Sequence, residues 1–439
     1  MKPYFTAPGV TLWHANALDL PLPDASVDLI VTSPPYFGLR SYQDGGKHYA
    51  GQIGSEATPA EFLDALIAAT REMVRVLKPS GSIFVNLGDK YAAGHGGSST
   101  EGNGVNITVR RTRQAATHWA GESAHPSKST SAIVLRPKSL MGMPWRYAIR
   151  CIDELGLILR AEVIWSKPNG LPESVTDRAR RSHEQWFHFT VQPRYFAAVD
   201  EIREPHSGGA HPARKDKGVS PRNAKIAATG DHGLRRSNTD PSLFDPRGKL
   251  PGSVWEVPTQ PLTVPAELGV DHFAAFPMEW PRRIIKGWAP TAGVCVECGE
   301  GRRPVIDKRF LPLQVTNNVG KWDIAAEDGR DVVAKPYGRA AASATITGYA
   351  CACAEPTAPT TPAVVLDPFG GTGTTALVAS VLGCHGHSVD LSADYCRLAQ
   401  WRVTDPGQRA AAAQVEAVDP VSDDQPDIFD VLDFGGGAA

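Results

Sequence analysis

Along this chain, short unbroken apolar runs alternate with segments in which apolar residues return every three or four positions. The runs predict buried strands over 10–15, 26–31, 82–87, 160–165, 363–366 and 386–389. Over 59–77 the apolar positions Phe62, Leu63, Leu66, Ile67, Met73, Val74 and Leu77 follow a period near 3.6, which predicts a helix. Lys78-Pro79-Ser80-Gly81 ends it. Helices are also expected over 138–155, interrupted near Met143-Pro144, and over 277–288, 376–382 and 394–403, with a hairpin over 185–199. Strands and helices alternating in this way predict an α/β protein built on a doubly wound, mostly parallel sheet. Three stretches break the pattern. Residues 94–131 are rich in Gly, Ser, Thr and Arg, and 205–251 are polar, basic and rich in Gly and Pro. Beyond Asp405 the chain is Ala-rich, then acidic, then Gly-Gly-Gly-Ala-Ala, and disorder is expected over 406–439.

The strand at 26–31 runs into Thr32-Ser33-Pro34-Pro35-Tyr36. This places a hydroxyl, two rigid carbonyls and an aromatic ring at one sheet edge. Pro34 and Pro35 lack an N–H and have fixed φ, so the turn is stiff and its carbonyls are available. An exocyclic amine on a nucleobase is a poor nucleophile, because its lone pair is delocalised into the ring. Acceptors on its two hydrogens, here Ser33 Oγ and the Pro34 carbonyl, can draw the nitrogen toward tetrahedral geometry. Tyr36 can stack on a base taken out of the helix. The rival reading is a Pro-Pro turn that merely ends a strand, with Tyr36 packed on the core.

A second apolar strand ends in Asp367-Pro368-Phe369, and Gly370-Gly371-Thr372-Gly373-Thr374-Thr375 follows and opens a helix. Strand, glycine turn and helix N-terminus make a cradle for a cofactor, where the helix dipole favours a carboxylate. A phosphate loop is the alternative, but no Lys follows the glycines. The next strand ends in Asp390, about 20 residues past the turn, where ribose hydroxyls are held in such folds.

Together these motifs resemble the S-adenosylmethionine-dependent DNA amino-methyltransferases, which make N4-methylcytosine or N6-methyladenine. Ser33-Pro34-Pro35-Tyr36 is similar to the family's catalytic motif. Asp367-Pro368-Phe369-x-Gly371-x-Gly373-Thr374-Thr375 is similar to its cofactor motif. His272-Phe273-Ala274-Ala275-Phe276-Pro277 resembles the segment covering the methionine end of the cofactor. Trp165-Ser166-Lys167-Pro168-Asn169 and Ser182-His183-Glu184 resemble two further blocks. The catalytic motif precedes the cofactor motif, as in the circularly permuted group called beta. Many relatives carry Gly-Asp-Ala before the catalytic strand, with the acid on the cofactor's adenine. Here the corresponding run is Ala15-Asn16-Ala17, with Asp19 a nearby alternative.

The resemblance implies a seven-stranded, Rossmann-like methyltransferase sheet. On that reading residues 1–200 form the catalytic half, with the basic loop insertion at about 94–131, and 201–262 recognise the target. Residues 263–290 and 357–405 form the cofactor half, and 291–356 form an insertion between them. The implied reaction is direct methyl transfer to N4 of a flipped cytosine, with Ser33 and Pro34 orienting the amine, Phe369 against the cofactor and Asp390 on its ribose. Lys167, Asn169, Arg178 and His183 are candidates for contacts to DNA or cofactor. Ser33, where many relatives have Asp, favours cytosine over adenine N6 by family habit. A catalytically inactive DNA-binding protein on the same fold and an RNA methyltransferase are the other readings. The implied partners are double-stranded DNA and, where a restriction system is involved, its endonuclease.

Charge refines this picture. With 45 Lys and Arg against 47 Asp and Glu, the net charge is −2, so the whole chain is not a basic nucleic-acid binder. The charge is unevenly placed. Residues 101–150 carry eight basic against two acidic residues, a net of +6, and 201–250 carry ten against six, a net of +4. Either segment can follow phosphates or simply be a solvated surface. No stretch is apolar enough to span a membrane and the N-terminus does not read as a signal peptide, so a cytoplasmic protein of a bacterium or phage is expected. Of seven cysteines, Cys295-x-x-Cys298 and Cys351-x-Cys353 lie at the two ends of the insertion. A pair at each end is what a structural four-thiolate zinc site needs. The alternative is four ordinary cysteines. Cys151, Cys384 and Cys396 read as small core residues.

Overall fold

The computed structural model describes residues 1–38, 43, 44, 47, 48, 51–92, 136–170, 173–205, 245–270, 275–310, 341–353, 355 and 357–415. Residues 94–131, expected to form a basic loop, residues 206–244 of the segment expected to recognise the target, His272 and residues 416–439 therefore lie outside the described residues.

The chain opens with a hairpin of β1 (Phe5–Ala7) and β2 (Val10–His14), followed by β3 (Val27–Thr32). A two-residue ribbon, β4 (Gln43–Asp44) and β5 (Lys47–His48), precedes α1 (Pro59–Val76). Helix α1 begins at a capping box: Glu61 N donates to Thr58 Oγ1 (3.2 Å) and Thr58 N donates to the Glu61 carboxylate (2.9 Å). Then come β6 (Leu77–Leu87), α2 (Met143–Leu155), β7 (Ile158–Ser166), β8 (His183–Thr190) and β9 (Val254–Glu256). Helix α3 (Glu279–Trp288) leads to β10 (Val294–Cys295), β11 (Arg303–Phe310), β12 (Ala341–Ala350) and β13 (Thr360–Thr361). The chain closes with β14 (Val364–Asp367), α4 (Thr374–Val381), β15 (His385–Asp390), α5 (Ala393–Thr404) and α6 (Pro406–Ala413).

Nine strands form one sheet in the order β1-β2-β15-β14-β3-β6-β8-β7-β9. From β2 to β6 every neighbouring pair is parallel, while β1 and β8 run antiparallel to their neighbours. This corrects the seven-strand expectation: the sheet is larger and mixed. The edge strands β1 and β9 have three residues each, too few for a periodic signal. Alternation along the central strands sends side chains to two faces. Ile30, Ile83, Val85 and Leu366 pack with Phe62, Leu66 and Tyr147 of α1 and α2. Leu29, Val31, Phe84 and Val365 pack on the opposite face with Ile284, Ile285, Leu377 and Val378 of α3 and α4. Buried Asp28 joins the three middle strands. It pairs with Lys78 Nζ at 2.7 Å and accepts from Val364 N at 2.8 Å.

Three further expectations change. The hairpin expected over 185–199 is formed instead by β7 and β8, whose second strand ends at Thr190. Helix α2 is not interrupted near Met143-Pro144 but starts there, since Pro is accommodated in a first turn whose N–H groups have no helical partner. Residues 406–413, expected to be disordered, form α6. Asp405 caps it by accepting from Gln408 N at 2.8 Å, and its Ala410 and Ala412 are buried. The low-complexity composition hid an ordinary capped helix.

Candidate functional site

The parallel strands deliver the candidate residues to one place. Strands β2, β3, β6, β14 and β15 all end at the same sheet edge, and β8, running the other way, begins there. A cleft of about 850 Å³, open mouth included, lies outside these ends, the usual position for a ligand in an open α/β sheet. Its wall contains Ser33 and Pro35 from the turn after β3, Pro368 to Thr372 and Thr374 from the turn after β14, and Asp390 from the end of β15. Asn16 and Phe276 line it too. Asp19, the alternative to Asn16, is exposed and not part of this wall. Tyr395, Leu391 and Gln52 also line it and were not anticipated.

The glycine turn is shaped by its neighbours. A Cβ on Gly370 would run into the Ser388 hydroxyl and sit 3.0 Å from Ser388 Cβ, so a larger residue there would have to displace Ser388 where the turn crosses β15. Asp390 clamps this crossing, since its carboxylate accepts from Gly371 N and from Ser392 N, both at 2.8 Å. Asp367, Gly373, Thr375 and Pro277 lie behind the cleft wall rather than on it. Asp367 is 1% exposed and accepts from Thr32 Oγ1 (2.6 Å), Phe369 N (3.1 Å) and Thr375 Oγ1 (2.9 Å). One carboxylate thus joins the catalytic and cofactor turns across 335 positions of sequence.

Burial pushes the Asp367 carboxyl up to about 6 from an ordinary 3.8, against the pull of its donors. A raised carboxyl favours the folded state when protonated. That contribution is complete below about pH 4 and is lost as pH rises through about 6, a swing on the order of 3 kcal/mol. Asp367→Asn removes the titration. Its melting temperature should therefore gain on the wild type between pH 4 and 7, and thermal melts showing a constant difference over that range would contradict this.

The Ser-Pro-Pro-Tyr turn is held by residues the motifs did not single out. Ser33 Oγ donates to Asn86 Oδ1 at 3.2 Å. Asn86, 1% exposed on β6, donates in turn to the Gln185 carbonyl at 3.1 Å, which orients its amide. Tyr36 Oη lies 2.8 Å from both Asn86 Oδ1 and Glu184 Oε2, so its single proton serves one of these acceptors at a time. Lys167 Nζ pairs with Glu184 Oε1 and rests 4.1 Å from the centre of the Trp165 ring. A Cβ on Gly88 would meet Tyr36 Cε2 at 2.5 Å, so the ring needs glycine there to lie against the end of β6. Asn86 could be suspected from sequence only as a polar residue within the apolar run of β6.

Other candidates take structural partners. Arg178 pairs with Glu173 at 2.8 Å and stacks 3.8 Å from the Tyr91 ring centre. The Asn169 side chain bonds the backbone of Thr259 in both directions. His183 begins β8, and burial lowers its pKa. Cys295, Cys298, Cys351 and Cys353 meet away from the cleft, with their Sγ atoms within 4.8 Å of one another. Cys151, Cys384 and Cys396 are buried, as expected of core residues. Among the described residues no helix is long and apolar enough to cross a membrane.

Comparison with known proteins places this geometry in a family. The DNA methylase family, N6_N4_Mtase, matches residues 27–296. The type II methyltransferase M.XycI of Xanthomonas campestris pv. cyanopsidis is 38% identical over 208 residues, 46% of this chain and 61% of that protein. The type II methyltransferase M.Cfr9I of Citrobacter freundii is 33% identical over 284 residues, 63% of this chain and 72% of that one. The match thus spans about three-fifths of the first relative's length. Among solved structures, the PvuII cytosine-N4-specific DNA methyltransferase is similar at a TM-score of 0.48 and 15% identity, covering 94% of this chain and 96% of that one. The chain belongs to the N6/N4 DNA methylase family.

Proposed function

We propose that this protein methylates the exocyclic N4 amine of cytosine in double-stranded DNA, with S-adenosylmethionine as donor. The observation that carries the reading is the shared cleft: Ser33 and Pro35 face the same space as the glycine turn and Asp390. The residues suit the donor. Asp390 offers a carboxylate to ribose hydroxyls, Phe369 and Phe276 offer apolar surface, and the N-terminus of α4 at Thr374 favours a carboxylate. S-adenosylmethionine, when bound, supplies an electrophilic methyl group.

The protein's own part is positioning. Because Ser33 Oγ gives its proton to Asn86, its lone pairs stay available to an amine hydrogen. The Pro34 carbonyl is the second acceptor, and Tyr36, steadied through its hydroxyl, is the surface for the flipped base. The amine takes the methyl group as the methyl–sulfonium bond breaks, leaving a neutral thioether, and it gives up one proton to water or a nearby acceptor, with no covalent bond to the protein. A zinc ion at the cysteine cluster would take no step here, because four thiolates leave no coordination position open.

The DNA itself is assigned to 94–131 and to 201–262. The base of the second segment is tightly built: Arg203 pairs with Asp200 at 2.7 Å, Arg247 pairs with Asp245 at 2.7 Å, and Glu204 bridges to Lys249. This suits a segment that must present bases to fixed side chains. A restriction endonuclease partner and the permuted domain order belong to the same reading.

Ser33 selects cytosine over adenine on family habit alone, so the product decides. Mass spectrometry of nucleosides from DNA incubated with labelled donor should show N4-methylcytosine. N6-methyladenine without N4-methylcytosine would overturn the base assignment. Donor binding with no labelled DNA would favour the inactive DNA-binding protein.

A further inference from the structure

The described residues of the insertion between α3 and β14 form a small root and a long arm. At the root, β10 pairs antiparallel with β13, so that Cys295 lies opposite Thr360 and the two ends of the insertion meet. The arm is the β11–β12 ribbon, eight and ten residues long. We propose that Cys295, Cys298, Cys351 and Cys353 bind one zinc ion as four thiolates, and that this ion holds the arm on its root.

Geometry separates this from the alternatives. All four cysteines are free, and all four Sγ atoms lie within 4.8 Å of one another. A tetrahedral ion with Zn–S bonds of about 2.3 Å needs sulfurs about 3.8 Å apart. A disulfide would draw two of them to about 2.05 Å and separate them from the other pair. Ordinary cysteines from two distant segments have no reason to converge four at a time. Local backbone supports the cluster: Gly299 N donates to Cys295 O and Cys295 N donates to Glu300 O, both at 2.9 Å, closing a tight turn that carries Cys295 and Cys298. Cys351 follows directly on the last residue of β12, and Cys353 comes two residues later.

The arm also needs what an ion supplies. Val305 and Tyr349 are 43% and 42% exposed, and of its described side chains only Ala344 counts as buried, at 9%. A two-stranded ribbon without an apolar face is marginally stable at best in water. Metal binding contributes directly to the folding free energy of such modules. Two contacts then tie the arm to the body. Tyr349 Oη donates to Glu201 Oε1 at 2.7 Å, and the Arg303 guanidinium lies 5.6 Å from the centre of the Phe196 ring. The ion therefore sets the arm beside Glu201, at the entry to the segment assigned above to DNA recognition, and outside the cofactor cleft.

Elemental analysis of full-length protein purified without chelators should find one zinc per chain. Cys298→Ser with Cys353→Ser should lose it, while Cys384→Ala, a substitution outside the cluster, should keep it. Stripping the wild type with a chelator should abolish hydrogen-exchange protection in β11 and β12 and leave S-adenosylmethionine binding intact. Absence of metal from the wild type, zinc retained by the double variant, or unchanged protection after stripping would overturn the proposal. Iron in place of zinc would overturn the choice of ion. If the double variant fails to fold, the wild-type metal content and exchange data still decide. None of these readouts depends on which base is methylated, or on whether any is.

Discussion

Ser33→Ala should lower the rate of methyl transfer about 100-fold while leaving S-adenosylmethionine affinity unchanged. Ser33 Oγ gives its proton to Asn86 and keeps its lone pairs facing the cleft. An acceptor placed there acts mostly as the amine becomes tetrahedral, so its loss falls on the transition state rather than on binding. Alanine fits the same space, and the turn keeps its two prolines, so the fold should hold. Asn86→Leu tests the orienting role separately. It leaves Ser33 in place but frees its hydroxyl to rotate, and should cost part of the same rate. Single-turnover kinetics with equilibrium donor binding distinguishes these outcomes. A Ser33→Ala enzyme with wild-type turnover would remove Ser33 from the mechanism.

Arg402→Met should weaken S-adenosylmethionine binding tenfold or more with little loss of stability. Arg402 on α5 is 2% exposed, and its Nη1 donates to the hydroxyls of Thr372 and Thr374 at 2.5 and 2.6 Å. Its side-chain partners among the described residues, Thr372, Thr374 and Gln408, are all uncharged. Burial pulls its pKa down to about 10, so it remains charged at neutral pH. A cation thus stands directly behind two threonines of the cleft wall. At an effective dielectric of about 20, a carboxylate roughly 7 Å away would gain about 2 kcal/mol from it. Methionine of similar length fills the same space and removes the cost of burying a charge that has no carboxylate partner, while Gln408, which accepts from Arg402 Nε at 3.2 Å, loses that donor. Thr372 and Thr374 also keep each other as partners at 3.1 Å. A ligand without the methionine carboxylate, such as methylthioadenosine, should bind wild type and variant alike. Equal losses for both ligands would mean that Arg402 only shapes the turn.

The parts of the site visible in sequence were those written within a few consecutive residues. β3 and β14 are buried throughout or nearly so, which makes them apolar runs, and each is followed at once by its motif. Asn86, Glu184 and Arg402 were not legible as partners of Ser33, Tyr36 and Thr374. Each is joined across 28 to 148 positions, and a single sequence carries no trace of such pairings. Nothing local in the sequence separates Asn16, which lines the cleft, from Asp19, which does not. The parallel character of the sheet's centre followed from strand and helix alternation, but its strand order and its edges did not, because β1 and β9 owe their pairing to neighbours rather than to their own pattern. Convergence of the cysteine pairs was readable because thiol spacing is a local signal even when the pairs are far apart.

The strand order also governs how the molecule can be made. β14 and β15 lie between β2 and β3, yet they are synthesised more than 300 residues after β3. Until they emerge, the growing chain has a two-strand gap in the middle of its sheet, with β2 and β3 both showing unpaired backbone edges. Closing that gap requires contacts of very large sequence separation, which folds slowly. A polypeptide stopped before Val364 would keep the whole Ser-Pro-Pro-Tyr turn and still lack the strand whose Asp367 bonds Thr32 just before it, with two open edges free to pair with other chains.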